Sequence, residues 1–210
     1  MKHKIMFILI FILFSCQKQR SKENFDIKQI LNLKNYQIQR VKINDSIDKI
    51  EGKNSDFTIS GNLNIKTNRK DGWWKISNKN MNENFEIEFV DIKPENFNQL
   101  KFYKNGKLRN DFSTYYEIKK AENNFNLQFN FPKEKGKQFA SLQYLIFDTI
   151  SKKLLRDEKK ELKKNTNSYL LSIPLNKSEN AILGSISEFT TNEMKNDSAR
   201  MEVMTIYFKH

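Results

Sequence analysis

Apolar residues recur at every second position along much of the chain, the period of a strand that buries one face. In DFTISGNLNIKT, Phe57, Ile59, Gly61, Leu63 and Ile65 share one face, and Thr58, Ser60, Asn62 and Asn64 share the other. In NFEIEFVDI, Phe85, Ile87 and Phe89 oppose Glu86 and Glu88. In NFNLQFNF, Phe125, Leu127, Phe129 and Phe131 oppose Asn126, Gln128 and Asn130. Ala140, Leu142, Tyr144 and Ile146 alternate in the next run, and Tyr169, Leu171, Ile173 and Leu175 in the one after. Met201, Val203, Thr205 and Tyr207 form the last alternating set.

Turn chemistry separates these runs. Asn105-Gly106 lies between two strand-like stretches in LKFYKNGKLRNDF, and both residues tolerate the positive φ of a two-residue type I′ turn. YLIFDTISKKLLRDE reads as a second hairpin turning at 149–152. Its sequel, KKLLRDEKKELKK, fits either a short basic amphipathic helix or a solvated edge strand; the edge strand is preferred because lysine protects edges from mispairing. A brief helix is expected over Asp26 to Leu33. The expected fold is all-β, an antiparallel hairpin sheet followed by a β-sandwich-like domain, with about ten strands in total and about six in the sandwich. Four segments follow: a leader over 1–15, an anchor and polar tether over 16–24, a β-rich domain over 25–120, and a sandwich-like domain over 121–210.

The first segment has its own logic. Lys2 and Lys4 precede ten uncharged apolar residues, Ile5 to Phe14, and the chain turns polar at Gln17. That is the layout of a secretory signal, and the run is too short for a span of about 20 apolar residues. Leu13-Phe14-Ser15-Cys16 resembles the lipobox of bacterial lipoproteins. The resemblance implies cleavage before Cys16 and a diacylglycerol, with palmitate-type chains, on its sulfur. Two or three acyl chains hold a protein to a bilayer where one holds it only marginally.

Lys70-Asp71-Gly72-Trp73-Trp74 and Tyr103-Lys104-Asn105-Gly106-Lys107-Leu108 carry a second resemblance, to MORN-variant β-hairpin repeats, over residues 57–118. It implies stacked hairpins and a binding or scaffold role.

Composition narrows the chemistry. Cys16 is the only cysteine, so no intrachain disulfide can form and burial must supply stability. The chain has 17 Phe, 7 Tyr and 2 Trp for that purpose. Net charge is +12, falling to +10 without the leader's two lysines, which favours anionic surroundings. The lysines alternate with acids, however, and no arginine-rich stripe with interleaved aromatics marks a specific nucleic-acid site.

The histidines are His3, in the leader, and His210, so a Ser-His-Asp triad or a His-rich zinc site is not expected. No cofactor or metal is implied. Ser46-Ile47-Asp48-Lys49 matches the S-x-x-K pattern of penicillin-recognising enzymes without its partner motifs, and reads as a chance match. Glu86 and Glu88 share a strand face at about 7 Å, within the range of glycosidase carboxylate pairs, yet carboxylates opposite Phe85 and Ile87 are the ordinary wet face of a sheet. Trp73 and Trp74 point to opposite faces, so Trp74, in step with Ile76, is expected in the core, and Trp73 is free to meet a ligand.

The expected function is therefore that of a membrane-anchored lipoprotein of the bacterial envelope, at the outer membrane, acting as a non-catalytic binding or scaffold module. Its partners are the bilayer, through Cys16, and an envelope glycan or protein, with Trp73, Glu86 and Glu88 as candidate ligand contacts. One rival is an immunity or antitoxin-like lipoprotein that neutralises a toxin, and another is a carboxylate-dependent glycan hydrolase.

Overall fold

A computed structural model describes residues 26–93, 96–134, 136–165, 168–193 and 199–210. Cys16 and the tether after it lie outside the described residues. The chain divides into two units, one ending at Asn35 and the other running from Tyr36 to His210. In the first, helix α1 (Ile27–Ile30) starts at Asp26, whose Oδ1 accepts from the backbone N–H groups of Lys28 and Gln29 at 3.0 and 3.3 Å. A 3-10 turn follows over Leu33–Asn35.

Apart from a 3-10 turn over Asn110–Phe112, the described residues of the second unit are strands joined by turns and short loops. Seven form an antiparallel meander in sequence order: β1 (Gln37–Lys42), β2 (Ile47–Lys53), β3 (Phe57–Asn64), β4 (Arg69–Asn78), β5 (Glu83–Phe89), β6 (Gln99–Lys104) and β7 (Lys107–Leu108). Asparagines build its turns. The Oδ1 atoms of Asn44, Asn54, Asn64 and Asn78 each accept from a backbone N–H two residues on, at 2.9 to 3.1 Å, the bond that closes an Asx turn. Asn105 and Gly106 take φ of 52° and 73° between β6 and β7, as a type I′ turn requires. One face of the meander buries Ile50, Ile59, Leu63, Trp74, Ile76, Phe85, Ile87 and Phe102. Trp74 is fully buried, as its step with Ile76 predicts.

The remaining strands are β8 (Tyr115–Ala121), β9 (Asn124–Asn130), β10 (Lys137–Asp148), β11 (Lys153–Leu162), β12 (Ser168–Pro174), β13 (Ala181–Glu193) and β14 (Ala199–Lys209). They form a four-stranded sheet, β11-β10-β13-β14, and a three-stranded sheet, β12-β9-β8. Phe125, Leu127, Phe129 and Tyr169 from the smaller sheet pack with Leu142, Tyr144, Ile186, Ile206 and Phe208 from the larger in one buried core. This is the sandwich architecture, with seven strands. β8 pairs with β9 along its whole length.

The hairpin between β10 and β11 turns at 149–152, and β11 is an edge strand, which settles the helix-or-strand ambiguity of KKLLRDEKKELKK. Its inward side carries charge. Arg156 Nη2 donates to Pro174 O at 2.7 Å and to Glu179 Oε2 at 2.8 Å, across to β12 and the loop after it. Inward-pointing charge of this kind keeps an edge from pairing with another chain.

Among the described residues fourteen strands are present where about ten were expected. β1 (QIQRVK) is almost wholly exposed and carries no alternation to find. β13 turns Ile182, Ile186, Glu188 and Thr190 inward, so its buried face is half polar. In β14 the alternating set is the outer face: Met201 and Val203 are exposed while Ile206 and Phe208 are buried.

Candidate functional site

The register of β4, β5 and β6 assembles the outer face of the meander. Trp73 lies opposite Glu88, and Lys75 opposite Glu86. On the other side of β5, Glu88 lies opposite Gln99 and Glu86 opposite Lys101. Cross-strand partners project to the same side of a sheet, so the three candidate contacts Trp73, Glu86 and Glu88 share one surface. Their surroundings differ.

Trp73 is 40% exposed, and the Lys101 ammonium sits 5.5 Å from its ring centroid. Glu86 is engaged on the wet face, accepting from the Tyr103 hydroxyl at 3.1 Å and lying 4.0 Å from Lys75 Nζ. Partial burial, and then the negative charge of Glu86, push the Tyr103 hydroxyl pKa up.

Glu88 stands where the meander meets the sandwich. Its Oε2 accepts from Asn98 Nδ2 and from Gln99 Nε2, both at 2.7 Å. Asn98 and Gln99 are themselves buried. Asn98 reaches on to β14: its Nδ2 donates to Tyr207 O and its Oδ1 accepts from Tyr207 N, each at 2.8 Å. Gln99 Oε1 accepts from Tyr116 N on β8 at 3.0 Å. Lys93 Nζ donates to Thr205 O at 2.8 Å, and partial burial lowers its pKa. The connection between β5 and β6 thus clamps the free edge of β14 through side chains that imitate a neighbouring strand.

Beside this clamp is a cleft of about 630 Å³, within the range of sites for small ligands. Leu145 of β10 and Leu183 of β13 form one wall, and Phe89, Val90 and Ile92 face the same space. Asp71, Glu88 and Asp91 add three carboxylates, against one ammonium, Lys209. Tyr116 also lines it, and burial first, then the charge of Glu88, raises the pKa of its hydroxyl. As a candidate ligand contact the sequence singled out Glu88 alone among the lining charges, while Asp71 entered only through the MORN-like stretch. Asp71, Asp91, Leu145 and Leu183 come from segments with no local signal in common.

A second polar group is internal to the sandwich. Glu188 accepts from Lys164 Nζ at 2.8 Å and the Tyr169 hydroxyl at 2.9 Å through Oε1, and from Gln138 at 3.3 Å through Oε2. Burial is the main reason the Tyr169 hydroxyl is pushed far up, with Glu188 adding to it. Its members satisfy one another, which makes it a polar plug in the core. His210 packs edge-on against Phe125 at 5.4 Å. Among the described residues, no three His, Cys, Asp or Glu side chains are placed to hold a metal ion, and no helix is long and apolar enough to cross a membrane.

No family model, no curated protein and no solved structure matches this chain.

Proposed function

We propose that the chain is a bacterial envelope lipoprotein, anchored at the outer membrane through acylated Cys16, whose β-rich body is a non-catalytic binding module. The observation that carries the reading is the LFSC stretch at 13–16, directly after a short apolar run with a positive start. The body supports the second half. Its cleft has the size of a ligand site, and among its carboxylates Glu88 is held by two neutral amides. A polar tether over 17–24 gives such a module reach from the bilayer.

The test is metabolic labelling with radioactive palmitate. Wild type is expected to take up label and to fractionate with membranes. Cys16→Ser is expected to lose both properties. An unlabelled wild-type protein with its leader still attached refutes the anchor. Crosslinking in living cells then identifies what the body holds, and turnover of cell-wall material that depends on Glu88 refutes the non-catalytic reading.

A further inference from the structure

We propose that the cleft beside Glu88 binds a small amphipathic organic cation, an apolar body ending in an ammonium or guanidinium group. The inference rests on the binding-module reading above and gives it a ligand class.

Two features of the cleft point the same way. Its walls leave large apolar side chains wet: Leu183 is 43% exposed and Ile92 is 65% exposed. An apolar body between them removes that surface from water, at about 25 cal/mol per Å². Its charge is opposite to that of the molecule. The chain carries +12 overall, yet the lining holds Asp71, Glu88 and Asp91 against Lys209 alone.

These carboxylates are also unspent. The side chains of Asp71 and Asp91 make no hydrogen bond or ion pair among the described residues. Glu88 is fixed through Oε2 by two amides, which orient it without neutralising it, and Oε1 has no partner among the described residues. A cation entering the cleft therefore meets carboxylates close to apolar walls, where charge interactions are stronger than in bulk water. The neighbouring ammonium of Lys93 is engaged with Thr205 O, and that of Lys70 lies over the rings of Trp74 and Phe89. An anionic glycan meets the same carboxylates as repulsion. The volume is that of a site for a small molecule.

The experiment uses the full chain in nonionic detergent, followed through the backbone amide signals of Gly72, Leu183 and Ser185. The probes are phenylbutylamine, phenylbutanol and phenylpentanoate, which share an apolar body and differ in charge. The amine is expected to saturate these signals at least about tenfold more tightly than the alcohol, and the anion to leave them unmoved. Asp71→Asn with Asp91→Asn should bring the amine down to the affinity of the alcohol. Leu183→Gln should weaken amine and alcohol alike. Equal affinity of amine and alcohol, preference for the anion, or no response to any probe overturns the proposal. The two readings fail separately. Wild type that takes no palmitate but binds the amine loses the anchor and keeps this site; labelled wild type that ignores the amine does the reverse.

Discussion

Gly61 is defined by its neighbour. A Cβ placed on it would lie 2.2 Å from Cδ2 of Trp74, so the indole ring occupies the space of the missing side chain. Trp74 Nε1 donates to Asn62 O at 3.0 Å, which holds the ring there and satisfies its donor. Gly61→Ala is expected to cost about 1–3 kcal/mol, the range for overpacking a tight site, measured by chemical denaturation. A neutral result means that the ring has room to move. Tyr144 and Glu158 are coupled in a different way. They face each other across β10 and β11, and the tyrosine hydroxyl donates to Glu158 Oε2. That hydrogen bond is the largest influence lowering the pKa of Glu158. A carboxyl with a lowered folded pKa stabilises above its unfolded value and loses that contribution as pH falls through the folded one. In that window the unfolded chain binds more protons, so stability rises with pH. Tyr144→Phe should move the titration of Glu158 upward and flatten the acid limb of stability as pH falls through and below the ordinary glutamate range. Carboxyl chemical shifts and denaturation midpoints read the two effects.

At the scale of elements, edges decide more than interiors do. β14 is an edge strand whose Tyr207 bonds both its N–H and its C=O to one side chain, Asn98. Lys93 covers Thr205 O on the same edge. Asn98→Ala removes the imitation strand and leaves Glu88 with one amide partner. Amide hydrogen exchange at Tyr207 is expected to speed up by about tenfold or more, with a stability loss of about 1–3 kcal/mol. Unchanged exchange would show that the edge is closed by something other than Asn98. β11 solves the same problem with Arg156, which reaches Pro174 O and Glu179. The two hairpin turns were legible in the chain because they draw on local backbone preference, the positive φ of Asn105-Gly106 and the acceptor Asp148 before 149–152. Each is also held from outside, Asn105 N by Asn82 O and Thr149 N by Asn180 Oδ1.

For the whole molecule, the difference between what was legible and what was not has one cause. Alternation reports a strand when one face is apolar and the other polar, as in β3, β5 and β9. β13 hides this signal because its core face carries Glu188 and Thr190, whose burial depends on partners elsewhere, such as Lys164 and Tyr169 for Glu188. β14 confuses it because Met201 and Val203 on one face are as apolar as Ile206 and Phe208 on the other. The period identified a strand there and was silent on which face the sandwich takes. The candidate site divides in the same manner. Trp73, Glu86 and Glu88 share a sheet face through period and register, and the sequence placed the two carboxylates together. Their separation into an ion-paired Glu86 and a cleft-lining Glu88 depends on where β14 comes to rest.

By itself, then, the sequence determined the all-β class, the hairpin turns, the burial of Trp74 and the charged edge at β11, because each follows from contacts within a few residues or across one turn. The tertiary structure alone decided the pairing of β13 with β10, the inward face of β14, and the cleft. Those depend on residues from separate stretches of the chain meeting in space, Phe147 with Ala181 in the sheet and Asn98 with Tyr207 at the clamp, and no local pattern encodes such a meeting.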